Sequence, residues 1–322
     1  MKGFSAVLFS LVMASTSAMA SISEVFVALD DKKVALAQTL YDELSDQSRK
    51  SVDGQIAQTR LLMATEKFED AYDTLETLAE EHENNVSVQY YFGLSAMKMA
   101  QIASIFSKLG YAEDGLEALE KAIALDPNHE QALEVLIGFH LAAPGIAGGD
   151  KKAALEYANQ VKTLNERSGY IQLARALQGL EQYEQSLKAL DEGIEKYDDF
   201  GELYYHRAVM HINDESWNEA YQDLTNAIKL AQTEVEKAMA MYQLGKVAAE
   251  SGEFLAEGEQ MLEPLLTEDA YQHPNWVKFR LAQVYYHQNE LVKAKQTVNN
   301  IDWGEDKNLK KRVKKLKKVL KG

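Results

Sequence analysis

The places where this chain could do chemistry are its seven histidines, its many carboxylates and one cluster of glycines. None of His82, His129, His140, His206, His211, His273 and His287 falls in an H-E-x-x-H or comparable metal-binding spacing. His206 and His211 are five apart and cannot share a helix face. Cysteine is absent, which removes disulfides, thiolate metal sites and thiol nucleophiles. No G-x-S-x-G occurs, and carboxylates are too numerous for a catalytic pair to stand out. Gly145, Gly148, Gly149 and Lys151 have some of the composition of a phosphate-cradling loop. Their spacing is wrong, Lys152 follows where Ser or Thr should stand, and no strand precedes them. The expectation is a protein that is not an enzyme and holds no metal or cofactor.

The elements that would position a binding surface are easier to read. Ala, Leu, Glu, Lys and Gln dominate, prolines number 4 in 322 residues, and runs of alternating β-branched residues are missing. The chain is expected to be all-α. Residues 1–20 read as a signal peptide: Lys2, an apolar core over Phe4–Ala14, and Ala18-Met19-Ala20 as the cleavage site. Cleavage after Ala20 leaves Ser21, not Cys, so no lipoprotein is expected, and the location is periplasmic or secreted. Net charge is −16. From 21 to 304 there are 24 Lys/Arg against 48 Asp/Glu, whereas 305–322 carries nine cations and two acids. An acidic body argues against nucleic acid as a partner.

Four segments align on two columns of small residues. The first column is Ala174, Ala208, Gly245 and Ala282; the second is Ser186, Ala220, Gly258 and Ala294. A large residue stands three before the second column: Tyr183, Trp217, Leu255 and Leu291, with Phe254 able to fill the role of its neighbour Leu255. The layout describes antiparallel helical hairpins. Small residues sit where two axes approach closely, large residues plug the turn, and neighbouring hairpins bury each other's apolar faces.

This pattern resembles the tetratricopeptide repeat (TPR) family. The most recognisable piece is YAEDGLEALEKAIALDPNHEQAL, with Leu119, Ala122 and Pro127 in the family's second-helix and terminating positions. KFEDAYDTLETLAEEHENN matches through Phe68, Ala71 and Leu75, and Ser23–Asp46 reads as a degenerate first hairpin. The resemblance implies a right-handed TPR solenoid of about seven helical hairpins over 21–304, closed by a C-terminal capping helix over 305–322. It also implies that the first helices line a concave groove, with ligand-facing positions three before, one after and four after the first small residue. These are Ile171, Tyr205, Tyr242 and Phe279; Arg175, Val209, Lys246 and Gln283; and Gln178, Ile212, Ala249 and Tyr286. Aromatic anchors with two interspersed cations make a plausible peptide surface, and the same rings could equally pack between repeats.

Two neighbouring anomalies interrupt the repeat. Gly115 follows Gly93 by twenty-two residues instead of twelve, with no breaker before Gly110, so a first helix about three turns too long is expected. The next first helix opens into APGIAGGD, with Asp150 as N-cap and Ala154 starting the packed part of the second helix. The expectation is a clasp, in which Leu141, Pro144 and Ile146 fold over Ile102, Ile105, Phe106 and Leu109. The glycines Gly145, Gly148 and Gly149 would let the loop lie close to another helix. The pairing is also similar to a group of exported bacterial TPR proteins that carry the same long helix and glycine loop.

The expected function is a non-catalytic periplasmic scaffold that binds a protein or peptide in the groove, in envelope assembly, secretion or export. An alternative is a small-ligand component serving a transporter, with its pocket near Pro144–Gly149. The tail places Leu309, Val313, Leu316 and Leu320 on one stripe amid lysines. It reads as a cap for the array, or as a peripheral contact with an anionic surface.

Overall fold

The computed structural model describes residues 20–104, 106–267 and 271–321, and no strand occurs among them. The expected signal peptide (but for Ala20) and Ile105 of the expected clasp lie outside these residues. The helices are α1 (Ile22–Asp30), α2 (Val34–Asp42), α3 (Asp46–Lys50), α4 (Val52–Ala64), α5 (Phe68–Glu81), α6 (Val86–Ile102), α7 (Lys108–Leu125), α8 (Glu130–Ala142) and α9 (Lys151–Leu164). They continue as α10 (Glu166–Gly179), α11 (Tyr183–Lys196), α12 (Gly201–Asn213), α13 (Trp217–Leu230), α14 (Glu234–Ser251), α15 (Leu255–Leu262), α16 (Pro274–His287), α17 (Leu291–Asn299) and α18 (Lys307–Val319). The chain divides into two compact units: one holds the residues up to Val135 with Ile146–Gly148, the other Leu136–Gly145 and everything from Gly149.

In the first unit α1 pairs with α2, α4 with α5, and α6 with α7. In the second, α10–α11, α12–α13, α14–α15 and α16–α17 are the hairpins, and α18 packs on α16 and α17. The second half of α8 meets α9 through His140, which stacks on Tyr157 at 5.7 Å and accepts from the Asp150 N–H at 3.2 Å. The described residues therefore make eight helical pairs where about seven were expected. The terminal pair is complete: Val25, Ala28 and Ala37 are buried in a core shared with Ala57 and Leu61 of α4.

Both columns of small residues are buried. Ala174, Ala208, Ala282, Ser186, Ala220 and Ala294 are at most 1% exposed. The Ser186 hydroxyl donates to the Ala174 carbonyl at 2.8 Å, joining one column to the other. A Cβ on Gly245 would lie 2.3 Å from Leu262, and one on Gly258 2.3 Å from Ala248. The sequence signal therefore marks where the helix axes come closest.

The turns carry a device that the small columns do not reveal. Lys32, Glu66, Glu181, Glu215 and Asn289 all have positive φ, and each stands two residues before the second helix of its hairpin. The residue after each of them donates its N–H five residues back: Lys33 to Ala28, Lys67 to Leu62, Gln182 to Leu177, Ser216 to His211 and Glu290 to Tyr285, all at 2.8–2.9 Å. This is the Schellman ending of a helix, which usually carries glycine at the left-handed position. Five hairpins use a polar side chain there instead. In the α14–α15 hairpin α14 runs one residue further, to Ser251, and the three-residue turn uses Gly252 (φ 78°) and Phe254 (φ 52°).

The large turn residues do not all act as plugs. Trp217 and Leu255 pack against core clusters, while Tyr183 is 60% and Leu291 40% exposed. Phe254 does fill the junction, stacked on Tyr221 at 4.2 Å. An ion pair that the sequence did not announce ties α11, α12 and α13: Arg207 forks onto Asp223 (2.7 and 2.8 Å) and reaches Asp191 (2.7 Å). Asp223 is 4% exposed, so removing Arg207 would strand a buried carboxylate at a cost of about 3–5 kcal/mol.

The long hairpin is built differently from expectation. α6 ends at Ile102, nine residues past Gly93, where α10, α12 and α16 run five past their small residue. α7 starts seven before Gly115, where α11, α13, α15 and α17 start three before theirs. The extra length is thus about one turn on each helix, with α6 ending at Ile102 and α7 beginning at Lys108.

The double column generates a direct test. Gly245→Ala should gain up to about 1 kcal/mol in helix propensity and lose about 1–3 kcal/mol by overpacking against Leu262, which is fully buried and cannot swing away. Urea unfolding should show a net loss of roughly 1 kcal/mol or more; an unchanged or higher midpoint would mean that the axes are not held at this spacing.

Candidate functional site

In the second unit the first helices α10, α12, α14 and α16 are successive neighbours, so one repeated position recurs along one face. Of the residues expected there, Tyr205 and Tyr242 are half-buried, and Arg175, Val209, Lys246, Gln178 and Gln283 are also partly accessible. Tyr286 is 36% exposed. Ile171, Ile212, Ala249 and Phe279 are 1–5% exposed and belong to the core. Phe279 is a correction to the expected ladder. Its ring packs edge-on to Trp276 (5.8 Å) beneath the Arg280 guanidinium (5.4 Å), because α18 covers this end of the array and adds neighbours that inner repeats lack.

Tyr205 and Tyr242 do two jobs. They pack on adjacent core clusters, and they keep part of each ring open. Tyr271, in the segment entering α16, stacks on Tyr242 at 4.8 Å and 17°. Burial, with Tyr242 and Tyr205 close by, pushes the Tyr271 phenol up to about 12. The face therefore has a further tyrosine that no repeat column could have shown, because it comes from a connection. A small hollow of about 230 Å3 beside Tyr205 is lined by His206, Glu202, Glu236 and Met239.

A polar column runs beside the aromatic one, two residues before the first small position: Gln172, His206, Gln243 and Arg280. Gln172 accepts from Arg175 at 2.8 Å. Gln243 donates to the Tyr205 hydroxyl at 3.5 Å. Arg280, 4% exposed, pairs with Glu250 at 2.8 Å and donates to Gln283 at 3.1 Å. Burial, with the Arg175 charge nearby, pushes the His206 imidazole down to about 4. Burial also holds the Lys246 amine below the usual lysine range; Arg280 and Arg312 add to this and Glu250 opposes it. The repeat spacing of these four residues lies in the sequence, but polar residues at one repeated position gave no hint of their purpose.

At the loop edge, Asp150 caps α9 as expected, accepting from the Lys152 N–H (2.8 Å) and the Ala153 N–H (3.4 Å). Those two donors hold its carboxyl below the usual range. Of the side chains expected in the clasp, Phe106 is 93% and Ile146 86% exposed, and Ile102, Leu109 and Pro144 are exposed too. Leu141 packs instead toward Gly179 of α10. The glycines serve the loop's own path. Gly148 has φ 87°, and a Cβ on Gly149 would collide with the Ala143 carbonyl, while Gly145 faces open space.

The first unit has its own aromatic site, which sequence reasoning missed because its residues come from different repeat positions. The Arg60 guanidinium lies 5.3 Å from the rings of Phe26 and of Tyr91 and pairs with Asp30 at 2.5 Å. It borders a cleft of about 730 Å3 shared with Tyr90 and His129, whose rings are 4.6 Å apart. Among the described residues no group of three His, Asp or Glu could hold a metal ion.

Helical hairpins held by two small-residue columns, with first helices side by side, are the architecture of tetratricopeptide-repeat proteins. Residues 99–129, spanning the end of α6 and all of α7, match the tetratricopeptide repeat family. Among solved structures, a tetratricopeptide repeat protein from Parabacteroides merdae is similar at 14% identity, over 82% of this chain and 96% of that one, with a TM-score of 0.56. Yeast Tom70 is similar at 12% identity, over 93% and 79% of the two chains, with a TM-score of 0.54. IFIT1, solved with m7Gppp-AAAA, is similar at 14% identity over 92% and 70%, with a TM-score of 0.57. Such identities speak for the fold alone. No curated protein matches the sequence.

The polar column yields a pH prediction. The unfolded chain protonates His206 near the usual 6.5, while the folded chain resists until about 4. Its contribution is therefore complete above about pH 6.5 and lost as pH falls toward 4, by up to roughly 3 kcal/mol. His206→Gln should flatten the loss of urea stability between neutral and mildly acidic pH; a variant that tracks the parent curve would remove His206 as the cause.

Proposed function

We propose that this chain is a non-catalytic scaffold that binds a protein or peptide segment on the first-helix face of its second unit. One observation carries the reading. Tyr205 and Tyr242 recur at one repeat position, remain partly open, and have Arg175 and Lys246 on the same face. Half-open tyrosines on a rigid helical platform suit peptide anchoring, since aromatic and arginine side chains dominate binding hot spots. The fold supports the class of function, because TPR arrays serve as interaction scaffolds. The acidic body makes a protein segment a better partner than nucleic acid.

The location we propose is the periplasm or beyond it, after removal of residues 1–20. The first helix supports this boundary: Ser21 is its N-cap, and the Ser21 N–H donates to Glu24 at 2.8 Å. Cleavage after Ala20 would turn that donor into an ammonium beside a carboxylate and leave every described helix intact. The role would lie in envelope assembly, secretion or export.

The test is partner capture from a periplasmic extract with the parent and with a Tyr205→Ala/Tyr242→Ala variant of unchanged circular dichroism. Loss of two anchors of about 2 kcal/mol each would weaken binding by a hundredfold or more. A variant that retains every partner at parental affinity would reduce both rings to inter-repeat packing.

A further inference from the structure

The C-terminal helix α18 is firmly seated. Leu309, Val313, Leu316 and Leu320 are at most 9% exposed and join the core formed by α16 and α17. Its N-cap Asp306 accepts from the Leu309 N–H at 2.8 Å and from Trp276 Nε1 at 2.9 Å, which fixes the rotation of the helix on α16. The apolar stripe is thereby used up. Insertion of this helix into a bilayer as an amphipathic anchor would require it to leave the array.

The fixed rotation has a second consequence. The next face of α18, with Asn308, Lys311, Arg312, Lys315 and Val319 at one-turn spacing, looks across at α16. Together with Phe279, Tyr286 and His287 they enclose a cleft of about 720 Å3, well within the size of ligand pockets. Its floor is apolar, from Phe279, Leu316 and Val319, and its wall is cationic.

The buried and half-buried arginines Arg60, Arg207 and Arg280 have acidic partners in Asp30, in Asp191 and Asp223, and in Glu250. Lys311, Arg312 and Lys315 have none within 4.0 Å among the described residues, although the chain carries sixteen more acids than bases. Arg312 donates only to Asn308 at 3.3 Å and lies 5.9 Å from the Trp276 ring. The field of Arg312 also reaches Lys246 on the groove face. Cations left unpaired around an apolar floor are complementary to a ligand that brings both negative charge and an apolar group.

We propose that the cleft between α16 and α18 binds an acidic peptide segment of a partner protein, with its carboxylates on Lys311, Arg312 and Lys315 and an apolar side chain against Phe279, Tyr286 and Val319. This deepens the scaffold reading, on which it rests, by giving the partner a charge and an end of the array. The concavity favours a peptide over a membrane: a flat headgroup surface reaches the outer lysines but cannot enter between two helices to meet Phe279.

The experiment uses the mature chain and a fluorescent peptide of Glu and Asp around one Phe, followed by anisotropy at low and high salt. Matched probes carry Gln for the acids or Ser for the Phe, and phosphatidylglycerol vesicles form a separate arm. The parent should bind the acidic peptide, at least about tenfold more weakly at high salt. Lys311→Gln/Arg312→Gln/Lys315→Gln changes only exposed side chains and should weaken binding by about tenfold or more; Tyr286→Ala should weaken it as well, and the Ser probe should bind less than the Phe probe. Peptide binding unchanged in the triple variant overturns the proposal, as does vesicle binding without peptide binding. Binding lost in Tyr205→Ala/Tyr242→Ala but kept in the triple variant places the peptide in the groove, upholding the scaffold reading and overturning the cleft. If the parent binds no acidic peptide, the cleft fails, while the groove still stands or falls by partner capture.

Discussion

The close approach of two helix axes at the paired small residues is the constraint from which the rest of this molecule follows. Ala174, Ser186, Ala208, Ala220, Ala282 and Ala294 are buried, and a Cβ on Gly245 or Gly258 would collide with Leu262 or Ala248, so these positions leave no room for larger side chains. Each hairpin is therefore thin at one height. Dispersion contacts across such a seam are individually weak and need near-contact packing to accumulate. Once the spacing is set, larger residues on the flanks of each helix must find neighbours in the next hairpin. That requirement places α10, α12, α14 and α16 side by side and gives the second unit its shared face.

A face produced by repetition is not automatically a binding face, and the four repeats use it unequally. In the inner two, Tyr205 and Tyr242 are half-open. At the outer end, α18 closes over the corresponding ring of Phe279 and replaces the open aromatic with a walled cleft. The same helix adds Lys311, Arg312 and Lys315 to the cations Arg175 and Lys246 of the earlier repeats. Beside the rings, the polar column joins neighbouring first helices twice, where Gln243 of α14 donates to Tyr205 of α12 and where Arg280 of α16 pairs with Glu250 of α14. Such bonds specify register, where apolar packing alone would tolerate sliding. Tyr271 adds one more ring to the face, from outside the repeats.

What was legible in the sequence was whatever repeats. The two small columns, the second-helix starts, the N-cap at Asp150 and the apolar stripe of α18 are periodic or local signals, and the structure places each as its chemistry demands. The Schellman turns were hidden because their left-handed position holds Lys32, Glu66, Glu181, Glu215 and Asn289, none of them glycine, the residue that announces such a turn. The long hairpin was misread for a related reason. Without a breaker before Gly110 the sequence offers no stop, whereas the helix ends at Ile102 and the extra length is shared between both strokes of the hairpin. The glycine loop was read as pressing on a neighbour, but Gly149 is needed against its own Ala143 carbonyl. The basic cleft was invisible because it depends on the rotation of α18, fixed by an Asp306–Trp276 hydrogen bond thirty residues apart in sequence.

The central claim is that an acidic partner lies along the first-helix face and reaches the α16–α18 cleft. Site-specific photo-crosslinking in living cells tests it most directly, with the crosslinker placed at Tyr286, 36% exposed beside the cleft, and in parallel at Tyr183, 60% exposed at a turn. The account predicts an adduct from Tyr286 that sequencing traces to an Asp/Glu-rich segment of another protein, with none from Tyr183. An adduct from Tyr183 alone, or a Tyr286 adduct mapping to a neutral or basic segment, would contradict it.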